Sequence, residues 1–441
     1  MVIKSRVIRL ANRNIVARIA AFINATVQYC WKIRLPFNNN ISPTTHSQPY
    51  KYSSCCIFSI MIGIVLANLL LALGSDSGSG TRSASSETLQ FLDCHHHFYD
   101  TRHNDFQSFL GRFQPDAAFL PKDYHRDVVQ SIQGSEILSR QRTKVRHVGS
   151  VHIEAMPDDG LSEVLWIESL LSSNNPDECT VKAIVASCDL TQENIEEKLQ
   201  ELKETSPRVR AIRWILDCTG KRYADNDGTT LLNAATHVGN LRHNGIDYLR
   251  STNHDDQVVD PAFERGYALL EMHGFSFDLQ CAPEQLLAAA ALCQRYPNIP
   301  VVIDHLGKPM QVLGENNSQM MPDEAKLREW REGMQAMAKL PHVRVKISGL
   351  GWIIPGWIRS ARRIDLIGRL CQETVQLFGP ERCMIGTNWW KDAGSSDSDG
   401  LSEDGPTAAE YVEFLLDFFC GLTQEEQQCL FAGTAQNFYR I

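Results

Sequence analysis

A chain of 441 residues with 43% hydrophobic and 22% charged residues has the composition of a globular protein, and it can form one barrel-sized domain with extensions or two domains. The net charge of -9 hides an asymmetry: residues 1–75 hold eight basic residues and no acidic one, which leaves 35 basic against 52 acidic residues in the remainder. A body this acidic repels nucleic acid, so we expect a small-molecule partner.

The first 87 residues divide into three segments by composition. Residues 1–54 mix arginines with apolar residues and resemble an amphipathic organelle-targeting presequence. Residues 55–74 carry no charge and are long enough to span a bilayer, which predicts a transmembrane anchor or part of a two-part sorting signal. Residues 75–87 are a Gly/Ser linker. We therefore expect a soluble catalytic body over residues 88–441 that is membrane-anchored or organelle-targeted through this region.

Two alternatives to the anchor remain open. In one, Met61 is the true start, because the apolar run after it then forms the core of a secretory signal. In the other, the leader is assigned in error. If the anchor is kept, its basic flank stays cytoplasmic and the body lies across the membrane.

From residue 88 onwards, short β-rich runs alternate with helical patterns. The predicted strands are residues 88–94, 148–155, 181–187, 209–215, 275–280, 299–305, 343–348 and 382–387. The predicted helices include residues 163–171, 194–203, 260–273, 283–296, 324–339, 364–378 and 407–419. Eight strand–helix units predict an α/β protein, a (β/α)8 TIM barrel with an N-terminal extension, whose catalytic groups lie at the carboxyl ends of the strands.

The thirteen cysteines are odd in number and contain no Cys-x-x-Cys pair. Cys94, Cys188 and Cys281 fall in apolar runs, where a thiol behaves as a small hydrophobic side chain. We therefore expect no disulfide framework and favour a reducing compartment for the body.

The first predicted strand ends in a run of three histidines. Strand alternation puts Asp93, His95 and His97 on one face and His96 on the other. Two imidazoles at a strand end can turn toward one point, which suits a cation such as zinc, with Asp93 behind them as a hydrogen-bond acceptor. The alternative is a solvated histidine tract with no ligand.

Polar residues also end the other predicted strands. His152 and Glu154 either line the barrel as a satisfied pair or belong to a site. Arg213 forms a structural ion pair or holds a substrate group. His305 precedes a Gly-Lys-Pro turn, and we expect it to act as a metal ligand or catalytic acid, although a lone strand-end histidine is usually structural. The remaining strand-end residues are Gln280 and Lys346, expected to be positioning residues, and Asp304, Asn388 and Asp392.

Seven motifs spread over the body resemble one known family. They are DCHHHFYD, AFLPKDYHRDV, VHIEA, DPAFERGYALLEMHGFSFDLQ, VVIDHLGKP, VKISGLGW and RCMIGTNWWKD. In order and spacing they are similar to the amidohydrolase-related (amidohydrolase 2) metal-dependent hydrolases, most of all to the sugar-lactone and 2-pyrone-4,6-dicarboxylate lactonase branch. The resemblance implies a TIM barrel in which His95 and His97 bind a divalent metal, zinc or manganese, or polarise the substrate carbonyl. His305 joins them, and we call these residues the three-histidine cluster.

The chain departs from the family pattern at the last strand. The family has an aspartate there as general base, whereas this sequence has Asn388, whose amide cannot accept a proton from water at neutral pH. Asp392 is the nearest carboxylate along the chain. Gln280 stands where a two-metal site would need a histidine, so we expect no second metal ion.

Together these features predict hydrolysis of a small lactone, either a sugar-acid or a dicarboxylate lactone. The three-histidine cluster, with or without metal, polarises the ring carbonyl, and Asp392 or Asp304 activates water, with Glu154 as a weaker candidate. Arg213 is expected to hold a substrate carboxylate or hydroxyl. One alternative is decarboxylation of an aromatic or muconate-type acid on the same barrel. Another is a non-catalytic, membrane-tethered binding protein.

Overall fold

The computed structural model of the chain describes residues 88–135, 138, 144–173, 180–218, 238–243, 245–253, 256–310, 312, 322–354, 356–389 and 406–441. The described residues, all from position 88 onwards, belong to one compact unit. The expected leader, anchor and linker, over residues 1–87, lie outside the described residues. Among the helices that the structure does describe, none combines the length and the apolar composition needed to cross a bilayer.

Eight parallel strands form one sheet in the order in which they occur along the chain. They are β1 (Thr88–His96), β2 (Lys144–Ile153), β3 (Val181–Ser187), β4 (Val209–Arg213), β5 (Ser276–Leu279), β6 (Val301–Ile303), β7 (Val343–Ile347) and β8 (Cys383–Ile385). Each overlaps one strand predicted from sequence. The sheet is a nearly closed barrel, so the (β/α)8 prediction is confirmed.

The seven predicted helices are all present. They are α1 (Gly160–Ser173), α2 (Ile195–Thr205), α3 (Pro261–His273), α4 (Leu286–Arg295), α5 (Glu324–Ala338), α6 (Ala361–Phe378) and α7 (Ala408–Phe418). Local chemistry sets their ends. At α3, the Asp260 side chain accepts hydrogen bonds from the backbone of Ala262 and Phe263, and Pro261 occupies the first turn.

The sheet has two apolar faces. The outer face packs on the helices in one large cluster, as expected for strands that are covered on both sides. The inner face carries smaller side chains, such as Ala183 and Ala211, and packs against Phe438 and Tyr439 of the last helical segment. Arg440 donates hydrogen bonds to the carbonyl oxygens of Arg210 and Gly274, so this segment covers the amino ends of the strands.

Side-chain contacts join β1 to β8 at the seam of the barrel. Oδ1 of Asp93 accepts a hydrogen bond from the backbone N–H of Thr387 (2.8 Å), and Oδ2 accepts one from the Thr387 hydroxyl (2.7 Å). The backbone N–H of Asn388 donates to the carbonyl oxygen of His95 (2.7 Å). The first and last strands are therefore tied together where the predicted site lies.

Several described segments were not predicted. A helical stretch made of Pro121–Tyr124, His125–Gln130 and Ser131–Gln133 follows β1, and its middle part is a π-helix. Residues Leu249–Asn253 and Asp256–Val259 pair as an antiparallel hairpin. All nine cysteines in the described part of the chain are free thiols, in agreement with the expectation that no disulfide framework exists.

Candidate active site

A bulge in β1 determines which side chains reach the site. Between Asp93 and His96, β1 advances three residues while β2 advances two, from Ser150 to His152. The extra residue interrupts strand alternation. As a result Asp93 does not stand behind the histidine rings, as we expected, but accepts hydrogen bonds from Thr387 and from the Tyr124 hydroxyl (2.9 Å). The expectation of a shared face was therefore wrong for Asp93.

The structure brings the three-histidine cluster together. The ring centres of His95 and His97 are 5.0 Å apart, and those of His95 and His305 are 4.6 Å apart. His96 turns away, with Nε2 3.0 Å from the Ser150 hydroxyl. Residues more than 200 positions apart in the chain thus meet at the carboxyl ends of β1 and β6.

One nitrogen of each clustered imidazole is already engaged by the protein. Nδ1 of His97 lies 2.9 Å from the carbonyl oxygen of Ile153, and because a carbonyl only accepts, Nδ1 carries the proton and Nε2 holds the lone pair. Nδ1 of His305 lies 2.9 Å from the Ser348 hydroxyl. Nδ1 of His95 lies 3.2 Å from the Lys346 ammonium and 3.5 Å from Oδ1 of Asp304. The contacts of the Nε2 atoms differ from one histidine to the next.

The residues present fit a divalent metal ion. Nε2 of His95 is buried without a hydrogen-bond partner, and ligand atoms of His95, Asp304 and His305 lie within 4.8 Å of one another. Nε2 of His97 is 3.1 Å from Oδ1 of Asn388. Both of these atoms are acceptors, so the contact requires either a rotated amide or a shared cation.

His305 begins a left-handed turn. The φ angles of His305, Leu306, Gly307 and Lys308 are 52°, 55°, 70° and 50°. Such a conformation costs a non-glycine residue roughly 1–2 kcal/mol, so the surrounding structure must impose it. Gly349, with φ 63°, allows the close approach on the other side, because a Cβ atom there would lie 2.6 Å from Nδ1 of His305.

Burial keeps the cluster neutral. Burial and the Lys346 ammonium lower the pKa of His95 well below its ordinary value, and burial with Arg213 does the same for the pKa of His97. Burial lowers the pKa of His305 to about 3. At neutral pH the three imidazoles therefore carry no charge and keep a lone pair for a cation or a substrate proton.

A buried ionic network supports His95. The ammonium group of Lys346 contacts Asp278, lies 3.0 Å from Oδ1 of Asp304 and lies 3.2 Å from Nδ1 of His95. Burial alone raises the pKa of Asp304, but Lys346, His95 and His305 together outweigh this and hold that pKa well below its ordinary value. The Tyr439 hydroxyl donates to Asp278 (2.8 Å). Sequence reasoning assigned Lys346 only a positioning role and missed Asp278, which lies inside a predicted strand with no motif to mark it.

Arg213 binds two carboxylates of the protein. It donates to Oε1 of Glu154 (2.7 Å), to the Glu154 carbonyl (2.7 Å), to Gln280 (3.1 Å) and to Oδ2 of Asp304 (3.4 Å). These bonds occupy four of its five N–H groups, and the expected contact with a substrate stays a prediction. Its observed contacts are those of the structural ion pair.

Of the two alternatives for His152 and Glu154, the structure does not show the pair. β2 ends at Ile153, so alternation does not extend to Glu154, which turns toward Arg213. Nδ1 of His152 accepts from the backbone N–H of Phe98 (3.2 Å), and its Nε2 lies 3.9 Å from Oε1 of Glu163. His152 is thus a packed histidine outside the site.

A cavity of about 320 Å³, including its part open to solvent, lies above the cluster. Among the described residues its lining is His97, Glu154, Ala155, Met156, Arg213, Ile215, Val238, Gln280, His305, Trp352 and Asn388. Asp304 is not among the described residues that line it, and its role as general base stays a prediction. Asp392, the other expected base, lies outside the described residues. Trp352 and Met156 were not predicted as site residues, because isolated apolar residues carry no sequence signal for a cavity.

Comparison with known proteins agrees with this geometry. Residues 222–441 match the protein-family model for amidohydrolases. An L-fucono-1,5-lactonase of Burkholderia multivorans is 35% identical over 134 residues, which cover 30% of this chain and 43% of that protein. An L-fucono-1,5-lactonase of Burkholderia ambifaria is 28% identical over 189 residues, 42% of this chain and 57% of that protein. The chain therefore matches about half the length of these curated relatives.

The fold comparison extends further along the chain. A crystal structure of an amidohydrolase from Burkholderia multivorans with bound HEPES superimposes with a TM-score of 0.54 at 22% identity, over 80% of this chain and 99% of that one. A second crystal form, with bound zinc, gives a TM-score of 0.53 at 22% identity over the same shares. These structures share the barrel fold. The match of residues 222–441 to the family model agrees with the resemblance seen in the sequence.

Proposed function

We propose that this protein hydrolyses the ring ester of a small, uncharged, hydroxylated lactone. The observation that carries the proposal is the three-histidine cluster, whose Nδ1 atoms contact the protein, whose His95 Nε2 has no hydrogen-bond partner, and of which His97 and His305 line a cavity. The lone pair on Nε2 of a neutral imidazole can bind a cation, and a cation held there would stabilise the oxyanion that forms when water attacks an ester carbonyl. The L-fucono-1,5-lactonase activity named for two relatives supports an ester substrate of this kind.

A divalent ion fits the same residues. Nε2 of His95, which has no other partner, would hold it together with His97 and His305, and the zinc bound in the related barrel supports this assignment. When bound, the ion polarises the carbonyl and lowers the pKa of a bound water. The Nδ1 contacts of the three histidines would orient the rings toward it.

In the reaction, the water oxygen bonds to the ring carbonyl carbon and the bond from that carbon to the ring oxygen breaks. The proton of the water passes to a carboxylate and then to the departing ring oxygen, which gives a hydroxy acid. Glu154 is the carboxylate that lines the cavity among the described residues, and Asp392 is the second candidate, in the segment after β8. Arg213 and the backbone N–H of Met156 (2.7 Å) fix the Glu154 carboxylate.

The charges around the cavity support an uncharged substrate. Among the described lining residues, Arg213 is the cation, and its donors bind Glu154, Gln280 and Asp304. A dicarboxylate would enter without a matching pair of available cations and would face Glu154. A sugar lactone needs only hydroxyl contacts, which Glu154, Gln280 and Asn388 can supply.

The test is a lactone panel on the purified full chain. Uncharged aldono-1,4- and 1,5-lactones and a pyrone dicarboxylate are offered with and without zinc or manganese, and acid release is followed with a pH indicator. We expect turnover of an uncharged lactone, at least about 100-fold loss of kcat in His97→Ala and no change in His103→Ala. His103 is a suitable control because it is exposed and lies outside the cavity.

Three results would contradict the proposal. One is absence of acid release from every lactone by folded protein with added metal. Another is release of carbon dioxide from an aromatic acid, which indicates decarboxylation. The third is turnover of the dicarboxylate alone, which contradicts the uncharged substrate but not lactone hydrolysis.

A further inference from the structure

Lys308 is buried in an ion pair next to the site, yet the reaction proposed above does not use it. Its ammonium nitrogen lies 2.5 Å from Oδ2 of Asp217 and 4.8 Å from the ring centre of Trp352. Both charged side chains are almost fully buried. Lys308 does not line the cavity, so direct contact with a substrate does not account for a buried charge at this position.

The backbone conformation around Lys308 indicates what the ion pair with Asp217 stabilises. His305 through Lys308 form the left-handed turn, in which Lys308 has φ 50° and ψ 54°. Pro309 follows, and a residue before proline normally adopts an extended conformation. The N–H of Lys308 donates to the carbonyl of His305 (2.8 Å). The backbone conformations of these two residues, at the two ends of the turn, therefore depend on each other.

Two contacts from outside hold the turn. The indole N–H of Trp330 donates to the carbonyl oxygen of Leu306 (2.7 Å) at its middle. Asp217 holds its end through Lys308 and is itself fixed, because its oxygens accept from the backbone N–H groups of Val238 (2.9 Å) and Gly239 (3.0 Å). The Asp217 carboxylate is therefore a rigid anchor rather than a mobile surface charge.

We propose that Lys308 is a positioning residue that acts through His305. Its ion pair with Asp217 holds the left-handed turn, so that the His305 imidazole stays against Ser348 and lines the cavity. The kinetic consequence rests on the proposed lactone hydrolysis, whereas the orientation of His305 does not.

The experiment uses four variants of the full chain. Lys308→Met removes the cation, and the double variant Asp217→Asn with Lys308→Met removes both charges, so that no buried carboxylate is left unpaired. Lys308→Arg keeps the charge. Lys339→Met is the matched control, because Lys339 is exposed at the end of α5. Each variant is assayed for kcat and KM on the lactone, for thermal unfolding, and for the imidazole 15N signals of His305, assigned with His305→Gln.

We expect Lys308→Met to lower kcat about 100-fold, with a smaller change in KM, and to shift or broaden the His305 signals. The double variant recovers thermal stability but neither kcat nor the signals, and Lys308→Arg recovers part of both. Unchanged kcat and unchanged His305 signals in the double variant overturn the proposal. If the wild type hydrolyses no lactone, the proposed function fails, and the His305 signals alone then decide the positioning role.

Discussion

Nζ of Lys346 lies 3.2 Å from Nδ1 of His95, although the two residues are 251 positions apart in the chain. Lys346 reaches His95 from β7 through the barrel interior and also contacts Asp278 and Asp304. The histidine on β1 is thus supported by an ion-paired layer rather than by apolar packing. Because that layer is completely buried, each of its charges depends on the others.

Lys346→Met should lower the free energy of unfolding by about 3–5 kcal/mol, because it leaves Asp278 and Asp304 buried without their cation. Urea unfolding of the full chain at pH 7 measures the effect. Lys182→Met, at an exposed position of β3, is the control and should change stability little. A loss below about 1 kcal/mol in Lys346→Met would show that the network is not ionic.

Thr387→Val should destabilise the protein by roughly 1.5–3 kcal/mol, since it removes a buried hydroxyl that donates to the Asp93 carboxylate. The control is Thr374→Val, because Thr374 is equally buried but its hydroxyl donates to Leu370 within its own helix. We expect the control to cost less, as it breaks a bond to a neutral carbonyl. If the two variants lose the same free energy of unfolding, the hydrogen bond between Thr387 and Asp93 stabilises the protein no more than a bond to a neutral carbonyl does.

Gly386→Ala should reduce kcat strongly. A Cβ atom at Gly386 would lie 2.5 Å from Cβ and 2.9 Å from the backbone nitrogen of His95, so the substitution displaces that histidine. Gly421→Ala is the matched control, because a Cβ atom there meets nothing within 4 Å. Lactone turnover and a crystal structure of each variant provide the measurement. Retention of full activity by Gly386→Ala would mean that His95 need not be held at its present position.

Glu154→Gln should lower kcat by about 100-fold or more if Glu154 accepts the proton of the attacking water, because an amide cannot do so. Asp392→Asn is assayed beside it under the same conditions. The amide preserves the size of Glu154, but its single oxygen can accept from Arg213 or from Met156 and not from both, so thermal unfolding of the variant is measured as well. A normal rate in Glu154→Gln with a large loss in Asp392→Asn would assign the base to Asp392.

His147 should make stability depend on pH below neutrality. Burial lowers the pKa of His147 from 6.5 to about 4. Between these values the unfolded chain binds more protons than the folded one, so stability rises with pH across the window and is lost on acidification. From pH 7 to pH 5 this group should cost about 2 kcal/mol. Urea unfolding of His147→Gln at both pH values should show a weaker pH dependence than the wild type; an unchanged dependence would refute the assignment.

The sequence predicted the barrel because each strand is short, β-rich and separated from the next by a helical pattern. The positions of His95, His97 and His305 followed from the same reasoning, since the carboxyl ends of parallel strands meet at one rim. Their roles as metal ligands remain a prediction.

Other parts of the site could not be derived in this way. The alternation of side chains between the two faces of a strand fails where a bulge inserts a residue. The amino-acid sequence around Asp93 contains no pattern that indicates this bulge. The partners of Arg213 are set by three other strands, and the left-handed turn after His305 depends on Trp330 and Asp217. Contacts between distant segments decide each of these features, and local sequence patterns do not contain that information.

The seam between β1 and β8 also bears on how the protein folds. Asp93 and Thr387 are separated by 294 residues, so this contact closes one of the longest loops in the body and is entropically among the most demanding to form. His97 and Asn388 face each other across the same junction. A chain that has formed seven strands but has not joined the eighth to the first would contain most of its secondary structure and no complete site. Circular dichroism would not detect the missing closure of the barrel, whereas an assay of turnover would.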